Sequence, residues 1–273
     1  MKLGIFTRVK NEHKLIKEWI IHYINLGFDK VFIYDNISSP SVYSLIKDIP
    51  KDYLDKVVIF SDKSTNRNQE NLYTEALFIA RQNNMDWIFC CDGDELLSLR
   101  IDGLLKSFLS KFSDDTAVIP INWVTFGQGG NKTFDHDKLV IEQFIIRENY
   151  ECFHNLFVKS FLRPNLIEKC DNSHKSSSGE YYTRNVYNEI IDCKANVTIG
   201  ENERAKINDE TPLVLHHYMT LDETSMLEKR ERNIKEWPTS GDKYTLEWYS
   251  REFKDEVEDK SMFKYIEGIK KLF

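Results

Sequence analysis

Residues Trp87-Ile88-Phe89-Cys90-Cys91 form an unbroken apolar run that ends in Asp92-Gly93-Asp94-Glu95. A run that is apolar at every position has no solvent face, so it reads as a strand buried on both sides, the situation of a parallel strand covered by helices. The carboxylates then fall just past the strand, in the crevice where open α/β sheets bind ligands. Hard oxygen donors in that place suit Mg²⁺ or Mn²⁺, and such an ion can hold a diphosphate. An isolated D-x-D also occurs as a plain acidic turn, so the rest of the chain has to decide.

The first ninety residues alternate strand and helix signals, as a Rossmann-like half with a parallel sheet does. Residues 2 to 8 are expected as the first strand. Asn11 is a candidate N-cap, and Ile16, Trp19, Ile20, Tyr23 and Ile24 recur at helical spacing until Gly27 stands at the C′ position. Residues 30 to 34 form the second strand. Asp35-Asn36-Ile37-Ser38-Ser39-Pro40 is rich in turn formers, and a short helix over 41 to 47 precedes a third strand at 56 to 60. Residues 70 to 83 supply the next helix, with Leu72, Ala76, Ile79 and Ala80 on one face.

Beyond Glu95 the alternation weakens and the pattern becomes α+β. Strands are expected at 117 to 121, 157 to 162 and 212 to 217, a glycine-rich loop at 127 to 130, and a mobile loop at 171 to 178 with its three serines. Thr220-Leu221-Asp222-Glu223 has capping-box spacing and opens a charged helix to about residue 235. These signals divide the chain into a sheet domain at 1–219 and a helical extension at 220–273 that packs on it. Phe263, Ile266 and Phe273 lie near one face of the extension, with Lys264, Lys270 and Lys271 among its basic positions, which leaves peripheral contact with a membrane surface as a second role.

The chain's 273 residues suffice for a sizeable core, and no stretch approaches the roughly 20 apolar residues of a membrane span. The N-terminus has no signal-peptide pattern, which leads to the expectation of a cytoplasmic protein. The odd set of five cysteines contains no C-x-x-C and is expected to be reduced, with no disulfide framework or structural zinc. A net charge of −7 argues against a nucleic-acid partner.

A ligand crossing the sheet meets all the strand ends together. The first delivers Thr7, Arg8, Lys10, Asn11 and Glu12, the second Asp35 and Asn36, and the third of this set Asp92 and Asp94. Asp35 and Asn36 can recognise a base edge or ribose hydroxyls. Taken singly, Asn11 is explained as a cap, Asp35-Asn36 as a turn and Lys10 as a solvated charge; taken jointly, these residues make a nucleotide-diphosphate site.

At this point the chain resembles a known family. Val9-Lys10-Asn11-Glu12, Glu18-Trp19-Ile20-Ile21-His22-Tyr23, Leu26-Gly27 and Ile33-Tyr34-Asp35-Asn36-Ile37-Ser38-Ser39 look like the opening of glycosyltransferase family 92 and family 2-like proteins. Asp92-Gly93-Asp94-Glu95 resembles that group's D-x-D-E. The likeness continues in Trp123 to Gly127, in Lys159 to Pro164 with His174 downstream, and in His216-His217-Tyr218, covering about residues 3 to 235.

The resemblance implies a GT-A fold, a mostly parallel α/β sheet with flanking helices, together with a nucleotide-sugar donor and a Mn²⁺ or Mg²⁺ ion. Asp94, and Asp92 directly or through water, would match the metal-binding D-x-D. A histidine from the C-terminal half completes the metal site in many GT-A enzymes, and His174 and His217 are the candidates by position. Lys159, Arg163, Lys229 and Arg230 are candidate phosphate contacts. Glu142 and Asp135 are candidate bases for an inverting transfer, and Trp123 and Phe126 can stack on an acceptor sugar. Pro40-Ser41 stands where relatives commonly carry another acidic residue. The expected activity is transfer of a sugar, most simply from a UDP-sugar, to a hydroxyl of a glycan or lipid-linked acceptor in surface polysaccharide or lipopolysaccharide synthesis.

Other readings compete. A haloacid-dehalogenase phosphatase needs its D-x-D on the first strand, which has no Asp, and an EF-hand fails because Leu96, Leu97 and Gly103 occupy the required positions. A sugar-nucleotide pyrophosphorylase normally carries a glycine-rich loop after its first strand, and Thr7-Arg8-Val9-Lys10-Asn11 has no glycine, which leaves it as the weaker alternative. A non-catalytic carbohydrate-binding or scaffold protein on the same fold is the alternative from a different class, and metal-dependent nucleoside diphosphate binding discriminates against it.

Overall fold

Strands β1 (Leu3–Val9), β2 (Lys30–Asp35), β3 (Val57–Ser61) and β4 (Trp87–Cys90) run parallel in the spatial order β4-β1-β2-β3. Their crossovers carry α1 (Ile16–Asn25), α2 (Val42–Ile46), α3 (Lys51–Leu54) and α4 (Gln69–Gln82). The structure is a computed structural model and describes residues 1–63, 69–172, 175–177, 180–191, 207–236, 242–254 and 256–273. The alternation along β4 sorts its side chains to two faces. Trp87, Phe89 and Cys91 join one core with Trp19, Ile20 and Tyr23, while Ile88 and Cys90 join another with Tyr73, Ala76 and Leu77 of α4. A sheet covered on both faces is the reason this strand is apolar throughout.

The second half folds back onto the parallel strands. Along the chain it consists of β5 (Glu95–Leu99), α5 (Leu105–Leu109), β6 (Thr116–Thr125), α6 (Val140–Gln143), β7 (Ile146–Arg147) and β8 (Val158–Leu162). Next come β9 (Lys169–Asn172), β10 (Lys175–Ser177), β11 (Tyr182–Arg184), β12 (Ile190–Ile191) and β13 (Leu213–His217). β8 is inserted antiparallel between β4 and β6, and β13 pairs parallel with β6 and antiparallel with β5. This mixed α/β architecture with a mostly parallel centre agrees with the expectation of a GT-A fold.

The chain ends with α7 (Glu223–Glu236), α8 (Leu246–Glu252), β14 (Val257–Glu258) and α9 (Ile266–Lys270). Trp248, Phe253, Met262 and Ile269 of this segment are buried in the same core as Trp19 and Phe89. β14 pairs with β7, and Asp259 Oδ2 takes Arg147 Nε at 3.1 Å.

Three local expectations are corrected. Asn11 does not cap α1, which begins at Ile16. Instead Asn11, at a φ of 60°, donates its N–H to Ser38 Oγ at 3.0 Å and accepts Ser39 N–H at 2.9 Å, tying the β1 end to the β2 end. The described part of the stretch expected as a loop, 171–172 and 175–177, belongs to the antiparallel pair β9–β10, with Cys170 of β9 buried against α4, while 173, 174 and 178 lie outside the described residues. At α7 the cap is Asp222, whose Oδ1 accepts Ser225 N–H at 3.1 Å, and not Thr220. Gly27 does stand at C′ of α1, with a φ of 107° that an L side chain rarely adopts.

Candidate active site

The Asp92-Gly93-Asp94-Glu95 turn is pinned by side chains that bond to its main chain. Glu95, fully buried at the start of β5, accepts Asp92 N–H at 2.8 Å, and Trp19 Nε1–H of α1 donates to Asp92 O at 3.2 Å. A Cβ on Gly93 would stand 3.2 Å from Val9 Cγ1 and 3.4 Å from Glu12 Cγ, so the turn is pressed against the end of β1. The two aspartates are therefore held in place before any ligand arrives.

Three distant segments bring partners to them. β8 runs antiparallel to β4, so its first residues lie at the C-terminal end of the parallel strands, and Lys159 Nζ stands 2.9 Å from Asp92 Oδ2 and 3.8 Å from Glu95 Oε1. His217 faces Glu95 across the β5–β13 ladder and sets Nε2 3.6 Å from Asp94 Oδ1. Lys229 of α7 donates to Asp94 Oδ2 at 2.8 Å and to Met219 O at 3.0 Å. Arg232, three residues on and on the same helix face, reaches Lys10 O at 2.7 Å and Glu12 Oε1 at 3.8 Å.

The electrostatics follow from burial among opposite charges. Burial opposes ionisation of Asp94, but the Lys229 ammonium holds its carboxyl far below the usual range. Burial would likewise lower Lys159 and Lys229, yet Asp92 with Glu95, and Asp94, keep the two ammonium groups above their ordinary value. Burial pushes His217 down despite Asp94, so the imidazole is neutral at neutral pH and keeps a lone pair. Glu12 is raised by burial and then by Asp94.

Glu12, Asp92, Asp94, His217, Lys229 and Arg232 line a cleft of about 540 Å³, with Lys159 and Glu95 buried behind them. One end is formed by Arg8, Lys10, Asn36 and Tyr73 near the ends of β1 and β2, where Arg8 Nε and Asn36 Nδ2 both donate to Asp62. The other end is an aromatic wall of Trp123, Phe153, His154, Phe157 and Tyr244. A neighbouring cavity of about 340 Å³ shares Glu12, Asp94, Lys229 and Arg232 with it.

The model of glycosyltransferase family 92 matches residues 7–237, most of the chain. The chain belongs to glycosyltransferase family 92. No curated protein matches it. Among solved structures, glucosyl-3-phosphoglycerate synthase from Mycobacterium tuberculosis, in complex with Mn²⁺, UDP and glucosyl-3-phosphoglycerate, is 12% identical. That alignment covers 46% of this chain and 44% of the synthase at a TM-score of 0.30. An active-site mutant of LgtC is 9% identical over 79% of this chain and 87% of its own, at a TM-score of 0.37. This chain spans 42%, 44% and 54% of the first three solved structures it resembles. At these scores the family match and the strand order carry the fold assignment.

In this family 92 chain the fold gathers Lys10, Glu12, Asn36, Asp92, Asp94, Trp123, His217 and Lys229 around one cleft, and it buries Lys159 beneath Asp92. Other expected site residues are elsewhere. Asp35 spends both oxygens on Ser38 and Val42 N–H groups within its turn, and Thr7 and Phe126 are buried, Phe126 packing on His216 and Tyr218. Arg163 is at the far end of β8, over the Trp87 ring and beside Asp114, because four residues of strand span about 13 Å. Glu142 caps α6 and pairs with Lys270, while Asp135 pairs with Lys138 at the surface, so neither lines the cleft. His174 lies outside the described residues. Arg8 lines the cleft as expected from its place at the end of β1, while Tyr73, Phe153, His154, Arg232 and Tyr244 are cleft residues that no motif announced.

Among the described residues no three His, Cys, Asp or Glu side chains converge to cage a metal. Asp94 Oδ1 and neutral His217 Nε2 nevertheless form a mixed oxygen and nitrogen pair, and His217 Nδ1 is buried with no hydrogen-bond partner. Adjacent ligands of a small octahedral cation stand about 3 Å apart, close to the observed spacing, and Mg²⁺-type sites are commonly completed by substrate phosphate and water. The pair thus fits an ion that arrives with a diphosphate rather than one held by protein alone.

Proposed function

We propose that this chain is a metal-dependent glycosyltransferase. It transfers a sugar, with inversion, from a UDP-sugar donor to a hydroxyl of a glycan or lipid-linked acceptor, in surface polysaccharide or lipopolysaccharide synthesis. The observation that carries this reading is the convergence of Asp92, Asp94, His217 and Lys229 in one cleft at the C-terminal ends of the parallel strands. Asp94 and His217 would hold Mn²⁺ or Mg²⁺, with Asp92 beside them. When bound, the ion supplies Lewis-acid charge to the diphosphate of the departing nucleoside.

The chain's own residues divide the remaining work. Lys229 and Lys10 line the cleft as cations for the diphosphate, and Lys159 fixes Asp92 from below. Arg8, Asn36 and Tyr73 line the end suited to the nucleoside, and Trp123 with Phe153 offers ring faces to an acceptor sugar at the other end. The unit at 1–219 would be the transferase body and 220–273 its extension, which contributes Lys229, Arg232 and Tyr244 to the cleft. Within the same reading the protein works in the cytoplasm, and peripheral contact with the inner face of a membrane through exposed Phe263 and Phe273 is a secondary role beside packing on the parent domain. No helix among the described residues is long and apolar enough to cross a membrane.

The test is thermal unfolding with UDP, GDP or CDP, each with Mn²⁺ and with chelator, because a ligand that binds only the native state raises apparent stability. A metal-dependent rise with UDP supports the reading. A well-folded protein that responds to none of the nucleotides overturns it in favour of a non-catalytic family member.

A further inference from the structure

Direct displacement needs a base for the acceptor hydroxyl, and the carboxylates expected in that role, Glu142 and Asp135, do not line the cleft. The groups beside the D-x-D turn are engaged. Asp92 is paired with Lys159, Asp94 with Lys229 and His217, and Glu12 faces Arg232. On the opposite, aromatic side stands one further imidazole, His154. Resting on the transferase reading above, we infer that His154 is the base that takes the acceptor proton, with Glu252 as its orienting residue.

The geometry has the form of a base and its orienter. Glu252 Oε2 of α8 lies 3.7 Å from His154 Nε2, and the imidazole stacks on Phe253 at 5.7 Å between centroids and 18° between planes. With the Nε2 edge turned to Glu252, Nδ1 is the nitrogen that accepts a proton. The 3₁₀ turn Phe153–Leu156 that carries His154 is braced against β6. Asn155 is buried, its Oδ1 accepts Thr125 N–H at 2.8 Å, its Nδ2 donates to Asn149 O at 2.9 Å, and Trp123 N–H donates to Phe157 O at 3.0 Å. The charged and titratable groups facing the imidazole are Glu252, His217 and Lys243. Burial lowers its pKa, with Glu252 opposing, so it is neutral and basic at neutral pH.

The step balances. The acceptor oxygen forms its bond to the anomeric carbon, and the bond from that carbon to the phosphate oxygen breaks, the electron pair leaving with the nucleoside diphosphate. The hydroxyl proton passes to His154 Nδ1, the imidazolium is stabilised by Glu252, and the proton is later lost to solvent.

Release of UDP from UDP-glucose and UDP-galactose with water as the acceptor, alongside UDP binding by thermal shift, tests this. His154→Ala should keep the UDP-induced shift and lose turnover by about a hundredfold or more. Added imidazole should restore part of the loss, which a purely structural role would not allow. Glu252→Gln should lower turnover less and keep UDP binding, and it carries the test if His154→Ala does not fold. Wild-type turnover in either folded variant, or loss without imidazole rescue, overturns the assignment. No UDP release by the unaltered chain overturns the transferase reading itself, and the base falls with it.

Discussion

Lys159 Nζ sits 2.9 Å from Asp92 Oδ2 although 67 positions separate the two residues, and only 1% of the lysine side chain is exposed. The contact exists because β8 enters the sheet antiparallel, which turns its N-terminal residue pair toward the C-terminal ends of β1 and β4. The buried ammonium stands between Asp92 and Glu95 and only partly offsets the burial that pushes the Glu95 carboxyl well above the usual carboxylate range.

Replacing Lys159 with methionine keeps the aliphatic stem and removes the charge. Breaking a buried pair by deleting one partner costs about 3–5 kcal/mol when the other stays charged; Glu95, which burial already pushes well above the usual carboxylate range, can take up a proton instead, so a loss of about 1–3 kcal/mol is expected. Urea unfolding should show a loss of that size, and a change below about 1 kcal/mol would mean that Glu95 is not relying on the lysine.

Asp94→Asn should leave the fold intact and abolish the metal-dependent response to UDP. Ligand at a hundredfold excess over its Kd adds about 2.7 kcal/mol to native stability, and that increment should vanish in the variant. An unchanged Mn²⁺-dependent shift in thermal unfolding would remove Asp94 from the proposed metal site.

Acid should destabilise the fold through His22. It is buried, donates Nε2–H to Leu97 O at 2.8 Å and has no partner for Nδ1, so burial lowers its pKa to about 4. The unfolded value is near 6.5, so the unfolded chain binds the extra proton first. Stability is full above about pH 6.5 and falls as pH drops toward 4, by on the order of 3 kcal/mol for this group. His22→Gln should flatten that part of the profile of unfolding free energy against pH, and an unchanged slope would assign the acid sensitivity elsewhere.

Ile269→Ala tests whether the C-terminal segment is part of the fold's stability. Ile269 is fully buried in the main core, and α9 packs on α1, so truncation should cost about 2–5 kcal/mol. A cost under 0.5 kcal/mol would show that the segment docks too weakly to hold the cleft's Tyr244 side of the chain.

Much of this protein was legible before any coordinates. The two-sided burial of Trp87 to Cys91, the helical spacing of Ile16 to Ile24 and the Gly27 stop are local patterns that depend on a few neighbouring residues, and they specified the parallel half and put Asp92 and Asp94 at its C-terminal edge. What the tertiary structure alone decided was which distant side chains meet those aspartates. Lys159 and Arg163 read alike in sequence, yet the antiparallel sense of β8 sends one beneath Asp92 and the other to the opposite edge. His216 and His217 are adjacent, and the pleat of β13 turns one into the core against Phe126 and the other toward Asp94. His154 carried no motif at all, because its place depends on pairing across β6 and on α8 from the far end of the chain. Periodicity is a property of a segment, whereas a site is a property of strand direction, register and long-range closure, which no single segment contains.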